Sequence, residues 1–154
     1  MKKILLLLVL IISMASHSQD SLKYKFKLKE HIAPVALVFM AGCADGLRDA
    51  TIYHNDRVLD KLNANEKFWG SQSWRNKYKN FDPAQGRRFP GSTTWLVFVT
   101  DAPHALKFAD NLFTSGAIAI KFTQKKKKFI YYVLEGIGYW VVNRIGFSAV
   151  YYRF

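Results

Sequence analysis

The last long segment of the chain, residues 129–152, is apolar on every side when it is drawn as a helix. It contains only two charged residues, Glu135 and Arg144, in 24 positions. A helix without a polar face either crosses a membrane or lies buried on all sides in a protein core. A chain of 154 residues rarely has enough mass to bury such a helix completely, so we expect this segment to lie in a membrane.

Two earlier segments, residues 31–53 and 92–120, are also apolar apart from a few ionisable groups. Three such segments predict a mainly α protein, a small bundle of about three hydrophobic helices. Pro34 is expected in the first turn of the first helix, and Pro103 is expected to kink or break the second. The mean hydropathy of −0.05 is ordinary for a soluble protein, so a soluble periplasmic binding domain stays open as an alternative.

Glycines are spaced for close contact between these helices. Gly42 and Gly46 form a G-x-x-x-G step, which lets two helix backbones approach each other. Three glycines in the last segment should offer similar packing faces: Gly136, Gly138 and Gly146. Cys43 is the only cysteine, so the chain has no intrachain disulfide, and packing among small residues is the expected role of Cys43.

The N-terminus has the pattern of a secretory signal. Lys2 and Lys3 precede an apolar run, and small residues follow it, so residues 1–18 are expected to be cleaved before Gln19. Residues 19–30 alternate lysines with apolar side chains, which favours a short strand or an extended basic tether. Residues 31–154 then form one domain.

The chain is strongly basic, with a net charge of +12 and an isoelectric point near 9.9. In a cytosolic protein this balance would indicate nucleic-acid binding. Behind an export signal, anionic lipid headgroups are the more accessible anions. The sequence therefore predicts membrane lipids and not nucleic acid as partners, together with a second copy of the chain or another envelope protein.

A long polar stretch, residues 55–88, separates the first two hydrophobic segments and is rich in aromatic and basic side chains. Structureless loops of this length are rare, so we expect this aromatic and basic loop to be ordered. Residues 56–63 are expected to form a short helix, and residues 81–86 have the composition of a turn.

The loop and its end supply candidate residues for binding lipid phosphates. Arginine binds phosphate through paired N–H groups, and tryptophan suits the headgroup region of a membrane. Ser92 or Thr93 is expected to cap the second helix, whose first amides would add an anion site. The candidate lipid- or anion-binding residues are Trp74, Arg75, Lys77, Lys79, Arg87, Arg88, Ser92 and Thr93.

Acidic and imidazole residues on different predicted helices form a second candidate site. Gathered in a bundle core, they could hold a divalent metal ion or act as a general acid/base pair. The candidate catalytic residues are Asp101, His104, Asp49 and Glu135. The candidate metal ligands are Asp45, Asp49, His54, Asp101 and His104. The alternative is a structural network of buried polar groups: Asp45, Arg48, Asp49, Asp101, His104 and Glu135.

Short motifs in the middle of the chain form a signature. They are F-W at residues 68–69, S-W-x-N-K-Y-K-N at 73–80, F-P-G-S-T-T at 89–94 and T-D-x-x-H at 100–104. This signature resembles small envelope proteins of Bacteroidota-type bacteria that carry an export signal and hydrophobic helices. The resemblance covers residues 42–108, implies placement in the bacterial envelope and brings no reaction with it.

Three functional interpretations follow from these patterns. The leading one is a non-enzymatic membrane protein of the cell envelope whose basic loop contacts anionic headgroups. The second is a membrane-embedded hydrolase or transferase that acts on lipid or cell-wall intermediates through Asp101 and His104, and the third is the soluble binding domain. The sequence contains no Walker loop, dinucleotide glycine fingerprint or zinc-type cysteine and histidine spacing.

Overall fold

The structure, a computed structural model, describes residues 27–124 and 127–154. Within these residues the chain is mainly helical and forms no β-strand. Its α-helices are α1 (Leu28–Tyr53), α2 (Asn55–Leu62), α3 (Glu66–Trp69), α4 (Ala102–Phe122) and α5 (Phe129–Tyr151). Short 3₁₀ helices lie between α3 and α4, at Ser73–Lys77, Lys79–Phe81, Pro83–Gln85 and Val97–Val99. The predicted signal peptide and residues 19–26 of the tether lie outside the described residues.

Helix α1 is the centre of the fold. Both α4 and α5 pack along it, whereas they contact each other only sparsely. At one end, which we call the connection end, the Gln124 side chain reaches the carbonyl oxygen of Glu30 at 2.6 Å. At the opposite end, the loop end, Arg57 donates to the carbonyl oxygen of Phe154 at 2.8 Å. The three long helices therefore run between the same two ends of the bundle, and a polar contact lies at each end.

Helix α1 begins earlier than predicted, at Leu28 instead of His31. Residues 28–30 are therefore helical and not part of an extended tether, and Pro34 lies beyond the first turn, so its predicted position was wrong. A proline inside a helix leaves the carbonyl four residues earlier without its backbone donor. Here that carbonyl belongs to Glu30, and the Gln124 amide supplies the missing donor.

Glycines set the contact between α1 and α5. A Cβ atom on Gly42 would overlap the carbonyl of Asn143, and a Cβ on Gly146 would overlap the carbonyl of Phe39. Cβ atoms at Gly46 would meet the same backbone of α5, so the predicted close approach at the G-x-x-x-G step is confirmed. The same expectation is wrong for two other glycines of α5, Gly136 and Gly138, because no atom of residues 27–124 or 127–154 lies within 4 Å of their Cβ positions.

Small side chains occupy the interior and large apolar side chains lie on the outside. The buried hydrophobic residues are Ala41, Ala44, Ala50, Val58, Ala102 and Ala117. Exposed large side chains on the three long helices include Ile32, Met40, Leu112, Ile118, Leu134, Trp140 and Ile145. The core is consequently a seam of small residues along α1, and most of the bulky apolar surface faces away from it.

Replacing Gly146 by alanine tests the close contact of α1 and α5. Gly146→Ala should lower the free energy of unfolding by about 1–3 kcal/mol, because the added methyl group collides with backbone. Gly138→Ala on the same helix should be neutral or stabilise by up to about 1 kcal/mol, since alanine is the better helix former. Thermal unfolding of both variants in one detergent measures the difference. Equal melting temperatures would contradict the contact at Gly146.

Candidate functional site

The segment between α3 and α4, residues 70–101, is what we call the aromatic–basic loop. Its middle is a tight reversal, in which Tyr78 and Arg87 form an isolated antiparallel bridge. The amide of Lys79 donates to the carbonyl of Gly86 at 3.0 Å, and the amide of Arg88 donates to the carbonyl of Lys77 at 2.9 Å. Gly86 has a φ of 77°, so the turn predicted at residues 81–86 is confirmed.

This reversal brings the predicted lipid-binding bases together. Lys77 and Lys79 lie on one side of the reversal, and Arg87 and Arg88 lie on the other. The indole of Trp74 is 37% exposed, and the guanidinium carbon of Arg75 lies 5.4 Å from its ring centroid. Asp82 is the only acidic residue between positions 70 and 100, so this surface carries a strong local positive charge.

Ser92 and Thr93 do not start a helix, so that prediction was wrong. Residues 90–96 form turns, and α4 begins only at Ala102. The Ser92 side chain is fully buried and donates to the carbonyl of Lys77 at 2.8 Å. Ser92 therefore ties the reversal to the rest of the loop, and the anion site expected at a helix start here is not formed.

Two side-chain amides that the sequence reasoning missed, buried Asn76 and half-buried Asn55, hold the loop in place. The Asn76 amide donates to the carbonyls of Lys67 and Thr100, at 2.6 and 2.9 Å. The Asn55 amide donates to the carbonyl of Trp69 at 2.7 Å. The available signal was the asparagine inside the S-W-x-N-K motif, because a lone amide among aromatics commonly satisfies buried backbone groups.

Asp101 is the polar centre of the junction between the loop and α4. Its side chain is fully buried and caps α4 by accepting a hydrogen bond from the His104 amide at 3.1 Å. It also accepts from the Thr100 hydroxyl at 2.8 Å and contacts His104 Nδ1 at 2.7 Å. Pro103 lies in the first turn of α4, where no amide donor is needed, so it starts the helix instead of kinking it.

The pairing of Asp101 with His104 resembles the arrangement that orients a basic histidine. A carboxylate can only accept a hydrogen bond, so the proton on the side facing Asp101 belongs to His104 Nδ1. Nε2 then faces away from the carboxylate, and the His104 side chain is 37% exposed. Such an imidazole can accept a proton or bind a ligand. The same contacts also suffice for a purely structural cap.

The other candidate catalytic and metal residues lie in separate clusters. Asp45 and Asp49 both pair with Arg48, at 3.0 and 2.8 Å. Asp45 lies on the same helix face as Arg48, three residues earlier, whereas Asp49 is the next residue in the chain. His54 lies within 3.2 Å of the Tyr151 hydroxyl at the end of α1. Glu135 belongs to the connection end. The described residues contain no group of three histidine, cysteine or carboxylate side chains that could hold a metal ion.

A cluster at the connection end was largely missed from the sequence. Glu135 contacts Lys121 at 3.0 Å and also pairs with Lys127, whose side chain is only 5% exposed. His31 lies 3.6 Å from the same carboxylate and 3.2 Å from the Tyr139 hydroxyl. A run of lysines is normally solvated, but Lys127 has an internal counter-ion, the carboxylate of Glu135 in α5.

Comparison with protein-family models, with curated proteins and with solved structures returns no match to this chain. The functional inference therefore depends on the geometry of the described residues.

Alanine substitutions at Asp101 and His104 separate their contributions to the fold. Asp101→Ala should cost about 1–3 kcal/mol of unfolding free energy, because the helix loses its cap and two buried donors lose their acceptor. His104→Ala should cost less than about 1 kcal/mol, because the cap remains and the ring is partly exposed. Denaturant unfolding measures both values. A larger loss for His104→Ala would contradict the assignment of Asp101 as the structural centre.

Proposed function

We propose that this protein is a membrane-embedded helical protein of the cell envelope, without a catalytic role, whose aromatic–basic loop contacts acidic lipid headgroups. The observation that carries the proposal is the reversed distribution of side-chain sizes, with small residues between the helices and large apolar residues outside. Exposing large apolar side chains to water costs free energy, whereas exposing them to lipid chains does not. Helices in membranes associate through small residues for the same reason.

The three long helices support this proposal to different degrees. Helix α1 is long and apolar enough to cross a membrane by length and composition, a property that a signal sequence near an N-terminus shares. Helices α4 and α5 have the length, but among the described residues only α1 meets the combined test of length, hydropathy and low charge for a spanning helix. Some charged groups of α4 and α5 nevertheless lie turned inward. Glu135 and Lys121, for example, are 13% and 14% exposed and paired with each other. Paired, inward-facing charges are the expected form of ionisable groups in a membrane.

The aromatic–basic loop supports contact with acidic headgroups. Each lysine or arginine near an anionic membrane surface contributes about 1 kcal/mol to binding, and the loop contains five of them but only two acids, Asp82 and the buried Asp101. Trp74, Phe81 and Trp95 are exposed on the same loop, and Trp95 is 73% exposed. Exposed indoles next to cationic side chains are typical of the membrane–water interface.

A membrane-embedded hydrolase or transferase is the second candidate. The observation that favours it is His104, because Asp101 orients its ring and leaves Nε2 directed away from the carboxylate. The other proposed catalytic groups, Asp49 and Glu135, have their own ion-pair partners in different clusters. A hydrolase or transferase function requires that His104→Ala abolish turnover of a lipid or cell-wall substrate while the melting temperature of the variant stays unchanged.

An alkaline carbonate wash of isolated membranes tests the membrane location. The tagged protein should stay in the pellet, because carbonate releases peripheral proteins but not spanning helices. The periplasmic alternative predicts release into the supernatant as a soluble chain. Release would overturn the proposed function, because the apolar faces of α4 and α5 would then have to be covered by a second copy or another protein.

Limited trypsin digestion in lipid nanodiscs tests the role of the aromatic–basic loop. Acidic lipid should slow cleavage at Arg75, Arg87 and Arg88 relative to zwitterionic lipid. The protection should fade at 1 M salt, where the screening length falls to about 3 Å. Trp74→Ala and Arg75→Gln should each reduce the protection.

Arg57→Gln is the matched control for the digestion, because it removes the same charge from exposed Arg57 of α2, outside the loop. It should retain full protection. Identical cleavage rates in acidic and zwitterionic nanodiscs, for the unaltered protein, would refute headgroup contact by the loop.

A further inference from the structure

The sparse contact between α4 and α5 leaves an open furrow between them, floored by α1. The furrow has a volume of about 730 Å³, within the usual range of roughly 300–1,000 Å³ for ligand sites. Apolar side chains form most of its length, among them Val38, Ile118 and Trp140. At the connection end its lining changes to polar groups, of which Lys121, Gln124 and Lys127 are the main ones. The furrow is therefore mostly apolar along its length, with Thr114 and Asn143 as polar exceptions, and cationic at the connection end.

The cationic end has an excess of positive charge among the described residues. The Glu135 carboxylate pairs with two ammonium groups, that of Lys121 at one oxygen and that of Lys127 at the other. Taken alone, Glu135, Lys121 and Lys127 have formal charges that sum to plus one. An ammonium has three N–H donors, and the contact with Glu135 uses only part of those on Lys121. An anion that reached Lys121 would therefore meet a cationic donor.

Two further features point to the same end of the furrow. Helix α5 begins at Phe129, two residues after Lys127, so the positive end of its dipole lies near that lysine. The amide oxygen of Gln124 is buried, and no donor among the described residues reaches it. Its orientation is determined, because the amide nitrogen must donate to the carbonyl of Glu30 and the oxygen must point the other way. A buried acceptor without a donor is costly, and it suits a hydroxyl of an incoming ligand.

From these observations we infer that the furrow between α4 and α5 binds one acidic phospholipid. Its phosphate lies against Lys121 and Lys127, a headgroup hydroxyl donates to Gln124, and an acyl chain runs along Ile118 towards Trp140. The inference rests on the proposed membrane location, because only a bilayer offers such a lipid in excess. Charge complementarity selects the acidic headgroup, and the apolar length of the furrow selects a lipid over a free phosphate.

Lipid binding to the purified chain in detergent tests the inference. Native mass spectrometry should show a single phosphatidylglycerol retained by the unaltered protein, and phosphatidylcholine should be retained far less. Lys121→Gln should weaken the apparent affinity for phosphatidylglycerol by about tenfold, because a buried charge-assisted contact is lost. Lys107→Gln is the control, since Lys107 lies on the same helix, pairs with Asp110 and is outside the furrow.

A second pair of variants tests the acyl-chain part of the furrow without changing charge. Ile118→Trp should fill the furrow and expel the lipid. Leu112→Trp, at an exposed position of the same helix that does not line the furrow, should leave binding intact. Unchanged lipid retention in both Lys121→Gln and Ile118→Trp would overturn the inference, as would equal retention of phosphatidylcholine by the unaltered protein.

The carbonate wash separates the two proposals. If the unaltered protein and Lys121→Gln both stay in the membrane pellet while neither binds phosphatidylglycerol selectively, the lipid site is refuted and the membrane location stands. If the unaltered protein is released, the membrane location fails, and the lipid measurement in detergent still decides whether the furrow takes an acidic amphiphile.

Discussion

The contact between the backbones of α1 and α5 is the constraint on which the rest of the structure depends. It exists because Gly42, Gly46 and Gly146 bring no side chain to the crossing, so carbonyl groups of each helix approach the other. With the helices this close, no room is left between them for large side chains. Those side chains consequently point outward, and many of the large apolar side chains of the bundle lie on its surface.

The central position of α1 also explains the two polar ends. Helices α4 and α5 both pack on α1 and hardly on each other. At the connection end, Glu135 of α5 pairs with Lys121 of α4 and with Lys127, so this cluster joins two helices that otherwise make few contacts. At the loop end, Asp101 bonds to Thr100 and His104, which are its close neighbours in the chain, so this cluster stabilises the start of α4 locally.

Local patterns predicted the local structure well and the long-range contacts poorly. The helix at residues 129–152, the short helix after residue 55 and the turn around Gly86 follow from apolar content, short-range periodicity and turn composition. The start of α4 was misplaced, because Ser92 and Asp101 are both good helix caps. Only the buried contacts of Ser92 with the Lys77 carbonyl show which one caps the helix. The acidic and histidine residues that were predicted to form one site across three helices lie in separate clusters, because spacing along a chain does not give the distance between helices.

The sequence by itself determined that the chain is mainly helical and basic, and that its longest apolar segments have the length to cross a membrane. These properties depend on composition and on patterns that repeat every few residues, and both can be counted in the sequence. Only the tertiary structure decided which glycines touch a neighbouring helix, that Gln124 replaces the donor removed by Pro34, and that Lys127 lies buried against Glu135. Those outcomes depend on how far apart the helices lie and how they are rotated, and both are set by the packing of all three helices together.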